Sequence, residues 1–329
     1  MKKLLTGNLK SALLAAVLVV LVLLPMWAGH YIISTCIFIG IYGMAALGLS
    51  VLMGYAGQVN LGPNTFMLIG AYTSAVLAVD FGISPWAGIV CGAILTAIIA
   101  YLIGKAILGL HGFILAVATA CFAVVIFRLA CELEITRGVY GLTSIPHYSI
   151  GSFVLNKEIH YYYLVLVVLI LLAIVTSNLI KSRIGRGFIA LNLFHGGSEV
   201  ASECVGINVG KLKVQAFVLS AVYGSIGGSI YAHYTTCLTP QPFDLWWGLV
   251  LTMMCTIGGM RSVIGPIIGS AVYIALKEII RSTQSTTLGG FETLIFGLLF
   301  TLFLIFMPRG IVELPSLILQ RFSMKTVKK

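Results

Sequence analysis

The residues best suited to chemistry lie in two short stretches of the chain. The first is Met53-Gly54-Tyr55-Ala56-Gly57-Gln58-Val59-Asn60-Leu61-Gly62-Pro63-Asn64. Its glycines and proline interrupt a helix, and its amides bring polar side chains into an apolar neighbourhood. Such a stretch can be a turn whose polar groups meet water. It can equally be unwound backbone lining a path, where carbonyls, amides and helix ends hold the ammonium and carboxylate of a small solute. Gly57, Gln58, Asn60, Gly62 and Asn64 are the path candidates; none is acidic. The second stretch follows His195-Gly196-Gly197. Ser198 is a helix N-cap, the spacing predicts a helix over Glu199 to Val205, and Gly206 closes it. Glu199 and Glu203, four apart, share one face of a small, partly apolar helix suited to a groove on a partner protein.

The elements that must position these residues are membrane spans. Of 329 residues 59% are hydrophobic and only 9% charged, against about 25% charged for a soluble domain. The fold expected is all-α, a polytopic transmembrane bundle of about eight to ten spans, each about 20 residues where it crosses a core of about 30 Å. Spans are placed near 11–29, 32–53, 64–80, 84–104, 113–131, 161–180, 214–235, 245–260, 262–280 and 288–307. The first is better read as a span than as a cleaved signal, since Pro25-Met26-Trp27 leads straight into more apolar sequence. Those near 64–80 and 245–260 are short and sit beside Gly/Pro-broken sequence, the mark of discontinuous helices.

Charge sets the orientation. With the N-terminus inside, only Arg128, Arg137, Lys157, Lys277 and Arg281 of the 20 Lys and Arg fall on the outer side; basic residues collect in cytoplasmic loops. Both termini are therefore expected in the cytoplasm. The excess of base is accounted for by topology, so no nucleic acid is expected as a partner. The whole chain, 1–329, reads as one membrane domain, with an external loop at 132–160 and a cytoplasmic loop at 181–213. Nothing remains for a soluble catalytic domain. Gly104-Lys105-Ala106 is not a phosphate loop, and HExxH, GxSxG and CxxC are missing from the sequence, so neither catalysis nor a cofactor or metal is expected. The seven scattered cysteines read as small packing residues. Asp80, Asp244, Glu292, Arg128 and Lys277-Glu278 are placed at helix ends within reach of the membrane surface, and no acidic ladder suits a proton relay. Gly224-Ser225-Ile226-Gly227-Gly228-Ser229 permits close helix contact.

Several blocks carry a resemblance. The first stretch, with Gly54, Gly57, Leu61, Gly62 and then Gly70-Ala71-Tyr72, resembles the GxxGxxxLG run and GAY helix of the membrane permease subunits of bacterial branched-chain amino acid ABC importers. Thr136 to Pro146, Ser182-Arg183-Ile184-Gly185-Arg186, Ala216 to Ala221, Gly258-Gly259-Met260 with Gly265-Pro266, and Pro308-Arg309-Gly310 resemble further segments of that family in the same order. The resemblance covers about residues 45 to 314. It adds Tyr72 to the path candidates. It also implies that Glu199, Ala201, Ser202, Glu203 and Gly206 belong to the cytoplasmic ExAAxxxG motif by which such permeases couple to ATPases, with small residues for close approach and glycine for the turn. Ser202 stands where the family has its second alanine, and Asn192 to Gly197 replaces a charged, helical approach to the motif.

By resemblance the chain is expected to be the permease subunit of an ATP-driven importer of branched-chain amino acids in the bacterial inner membrane. The partners implied are two ABC ATPase subunits, a second homologous permease subunit or a second copy, a periplasmic or lipid-tethered substrate-binding protein, and the lipid bilayer. A permease for urea or short amides is the nearest alternative. A stand-alone channel or secondary transporter is a reading from another class, separated by whether flux needs an ATPase.

Overall fold

A computed structural model describes residues 20–25, 29–107, 109–110, 112–150, 153–192, 196–283, 297–298, 301–302 and 310–313. The spans expected at 11–29 and 288–307 fall mostly outside these residues, as does Glu292. The helices are α1 (His30–Leu49), α2 (Asn64–Val79), α3 (Pro85–Ile107), α4 (Phe113–Glu132), α5 (Glu158–Lys181), α6 (Arg183–Leu191), α7 (Glu199–Cys204), α8 (Val209–Thr235), α9 (Leu245–Gly258) and α10 (Gly265–Thr283). α1 continues without a break into a π-helical turn, Ser50–Tyr55. The only strands among the described residues are β1 (Ser149–Ile150) and β2 (Phe153–Val154), an antiparallel pair in a loop. The architecture is the all-α bundle expected.

Five described helices are long and apolar enough to span a bilayer: α1 with its π turn, α3, α4, α5 and α8. α2 and α9 are shorter, at 16 and 14 residues. Since α5 crosses the bundle from end to end, the 132–160 and 181–213 loops lie at opposite ends.

α8 forms the axis of the bundle, flanked by α1, α2 and α3. Small residues let the backbones close up, because in lipid helix association rests on packing contact rather than on removal of apolar surface from water. A Cβ on Gly228 would collide with the Met67 carbonyl, and one on Gly227 would stand 3.0 Å from the Ile41 carbonyl. Ser229 Oγ donates to the Gly70 carbonyl at 3.0 Å. α8 is the least apolar of the five long helices and largely buried, whereas α5 is the most apolar and faces mostly outward. Val167, Leu171 and Ile174 are among its exposed residues.

The 132–160 loop is more ordered than its poor periodicity implies. Leu142 and Leu238 exchange both backbone hydrogen bonds, at 2.9 and 2.8 Å, and so fasten this loop to the chain leaving α8. Tyr148 is buried beneath it, its ring 4.7 Å from that of His233. Arg137 reaches Asp80 at 3.2 Å across the same end. The cysteines are all free, and Cys255 alone is fully buried; Cys91, Cys121, Cys204 and Cys237 face outward, so packing accounts for few of them.

Candidate functional site

After the π turn the chain leaves the helix and runs without regular structure through Gly57 to Gly62 before α2 starts. Gly57 has φ +70°, and a Cβ there would also lie 3.1 Å from the Asn192 side chain, so both backbone and space demand glycine. This irregular run is held by side chains instead of a helical ladder. Gln58 Nε2 donates to the Ala56 carbonyl at 3.3 Å, the Gly62 amide donates to Asn60 Oδ1 at 2.9 Å, and the Leu61 amide donates to Thr119 Oγ1 at 3.2 Å. Asn64 Nδ2 donates to the Phe243 and Asp244 carbonyls, the latter at 2.7 Å. Of the path candidates, Gln58, Asn60, Gly62, Asn64 and Tyr72 are buried and Gly57 is half-buried. The structure brings 57–64 into one strip and puts Tyr72 two turns further along α2. Asn60 Nδ2, Asn64 Oδ1 and Tyr72 OH have no hydrogen-bond partner among the described residues, an uncommon state for buried polar atoms.

The loop helix has the expected start and stop. Ser198 Oγ accepts from the Ala201 amide at 3.3 Å, and Gly206 turns the chain at φ +84°. Its faces are divided. Glu199 points inward: Oε2 meets Lys213 Nζ at 2.8 Å, and Oε1 accepts from Gln58 Nε2 at 3.2 Å. Lys213 lies near the start of α8 with its side chain 2% exposed, against 24% for Glu199. Ser202 is also buried and donates to the Ala190 carbonyl at 3.1 Å. Ala201, Glu203 and Gly206 face outward together with Val200 and Val205, which are 71% and 80% exposed. A second tie runs beside the first, from Asn192 Nδ2 at the end of α6 to the Gly54 carbonyl at 2.7 Å. The loop helix and the unwound strip are therefore one connected polar assembly.

Sequence reasoning gives no site role to Lys213 or Val205, and it names Asn192 and Val200 only by their place in the loop and on the helix surface. Lys213 reads as a loop charge, although it directly precedes the largely apolar stretch Val214 to Val218, broken only by Gln215. Nothing in the local sequence marks Asn192 for its bond to residue 54.

α2 and α9 form the other half of the site. α2 runs parallel to α8, since Phe66 packs on Gly224, Met67 on Gly228 and Ser74 Oγ on His233 Nε2 at 2.8 Å. Gly224 lies about 22 Å along the axis from Val209 and about 17 Å from Thr235. The N-terminus of α2 therefore sits near mid-depth, and α2 covers only the half nearer the 132–160 loop. α9 covers the other half: Trp247 stacks on Tyr42 at 5.5 Å, and Gly54 lies against the Met260 carbonyl beyond its far end. Its first residue follows Asp244, whose carbonyl is bound by Asn64. Residues 56–63 thus rise from one end of the bundle while 236–244 descend from the other, and the two half-spans begin side by side. Asp244 lies at this depth and not at the membrane surface where helix-end reasoning places it.

A family model described as "Branched-chain amino acid transport system / permease component" matches residues 31–308. The chain is 25% identical over 325 residues to the high-affinity branched-chain amino acid transport system permease protein LivM of Salmonella typhimurium, covering 92% of this chain and 74% of that one. It is 23% identical to a probable branched-chain amino acid transport permease protein LivM of Methanocaldococcus jannaschii, covering 84% and 91%. Over 57% of its length and 62% of the relative's, it is 26% identical to the guanosine ABC transporter permease protein NupQ of Bacillus subtilis. No solved structure matches the chain at a significant level. A multi-pass helical bundle with broken half-spans, joined to a family match over most of its length, leads to one conclusion: the chain belongs to the family of permease components of branched-chain amino acid transport systems.

Proposed function

We propose that this permease moves branched-chain amino acids across the bacterial inner membrane, with 132–160 outside and 181–213 and both termini in the cytoplasm. The family is one of ABC importer permeases, which in general work with ATPase subunits, a substrate-binding protein and a second permease. In this reading one of the two ATPase subunits docks on the outward face of α7, formed by Val200, Ala201, Glu203 and Val205, and the other docks on the second permease subunit. The binding protein delivers cargo at the 132–160 end, and a second permease subunit completes the path. The chain, 1–329, acts as one domain.

The observation that carries this reading is the contact of Glu199 with both Lys213 and Gln58. A push on α7 from a closing ATPase pair reaches the start of α8 and the strip 57–64 through one carboxylate. Glu199 and Ser202 are then transmitting residues, while the exposed positions of the same helix form the docking surface. A two-state movement of such an element is what switches access from one side to the other.

The test is reconstitution of the complete complex in proteoliposomes. ATP-dependent uptake of leucine, isoleucine or valine, with none of guanosine, a pentose or urea, is the expected result. Uptake of urea or a short amide in place of amino acids reassigns the cargo, and flux through the permease alone without ATPases overturns the importer reading.

A further inference from the structure

Among the described residues, Asp244 is the one acidic side chain that the fold sets near mid-depth. Its backbone is fixed there by Asn64, at the point where α2 and α9 both begin. Yet its side chain is exposed on the surface of the chain. Oδ1 accepts from the Leu245 amide at 2.6 Å, and no ion pair among the described residues involves it. A carboxylate at this depth is costly against acyl chains, so such groups face a bundle interior or a water-filled cavity. The exposed side of Asp244 is therefore a wet one. A second observation points to the same place: Asn64 Oδ1, in a residue only 1% exposed, has no partner among the described residues and lies against Gly248, one turn from Asp244.

We infer that Asp244 lines the translocation path and receives the ammonium group of a zwitterionic substrate at the junction of the two half-spans. The inference rests on the amino acid reading above and names the site that reading lacks. A carboxylate that forms no ion pair among the described residues suits an ammonium and offers little to an uncharged sugar or urea. The buried amides of 57–64 then act as the frame that fixes Asp244 rather than as the contact surface itself.

The plain alternative is that Asp244 only caps α9. Asparagine caps a helix as well as aspartate does, so Asp244→Asn separates charge from cap. In the reconstituted complex Asp244→Asn should lower leucine uptake at least tenfold while the complex still assembles with its ATPase subunits, and Asp244→Glu should recover part of the uptake. Independently, Asp244→Cys, in a chain whose seven native cysteines are replaced, should react with a charged, membrane-impermeant thiol reagent and be protected by leucine. Wild-type uptake in Asp244→Asn overturns the ammonium role, and an unreactive Asp244→Cys overturns the path assignment. If the wild-type complex takes up no amino acid, the cargo reading fails and the ammonium assignment with it, while the thiol reaction still decides whether Asp244 meets water.

Discussion

Removing the Glu199 carboxylate should release the loop helix far more than removing its partner lysine. At 2.8 Å and an effective dielectric of about 20, two unit charges attract by about 6 kcal/mol before desolvation is counted. Deleting one member of a buried pair typically costs about 3–5 kcal/mol because the other is stranded. The two members are not equivalent. Glu199→Ala strands an ammonium whose side chain is 2% exposed, whereas Lys213→Met leaves a carboxylate that is 24% exposed, can take up water and keeps its bond from Gln58. We expect about 3.5 kcal/mol for the first and about 1.5 kcal/mol for the second, with methionine retaining much of the apolar stem. The double replacement should cost about 2 kcal/mol, since an apolar pair leaves no charge behind. That leaves about 3 kcal/mol of coupling. Amide hydrogen exchange over 196–208 reads the docking equilibrium directly. Glu199→Ala should speed exchange there by a few hundredfold and Lys213→Met by roughly tenfold. A change under threefold in Glu199→Ala, or single effects that simply add in the double variant, refutes the reasoning.

The opposite face of the same helix should behave in reverse. Val200→Asp with Val205→Asp alters two residues that are 71% and 80% exposed, so exchange over 196–208 should hold while co-purification with the ATPase subunits falls more than tenfold; retained association places the docking surface elsewhere. Gly228→Ala drives a methyl group into the Met67 carbonyl, and overpacking of this kind costs about 1–3 kcal/mol, which should lower the melting temperature of the solubilised protein. Asn64→Leu leaves the Phe243 and Asp244 carbonyls without their donor, at about 1–3 kcal/mol for each unsatisfied group. Uptake should drop while ATPase association is unchanged, and wild-type kinetics would reduce the asparagine to filler.

The positions of the spans were legible because apolar length is a one-dimensional property: the expected 64–80, 113–131 and 161–180 lie within a few residues of α2, α4 and α5. Ser198 and Gly206 were equally readable, since caps act over three or four residues. What escaped depends on depth and on partners far along the chain. A glutamate in a polar loop reads as solvated, and only the fold shows Lys213 and residue 58 converging on Glu199. Asp244, flanked by two apolar segments, reads as the end of a span. Its true depth follows from the descent of 236–244, which is set by the Leu142–Leu238 pair above and the Asn64 contact below. The amides of 57–64 stand out in the sequence as a group, but their burial could not be seen without the helices that cover them.

The contrast between an apolar outer α5 and a weakly apolar central α8 bears on how the chain is made. A helix carrying Gly224, Gly227, Gly228, Ser225, Ser229 and His233 gains little from acyl chains on its own. The surfaces that fit these residues belong to α1, α2 and α3, all synthesised before it. α8 therefore settles into the bilayer by docking on helices already present, and a substitution on the earlier partners, such as one at Gly70, would surface as failed insertion of a segment translated some 140 residues later.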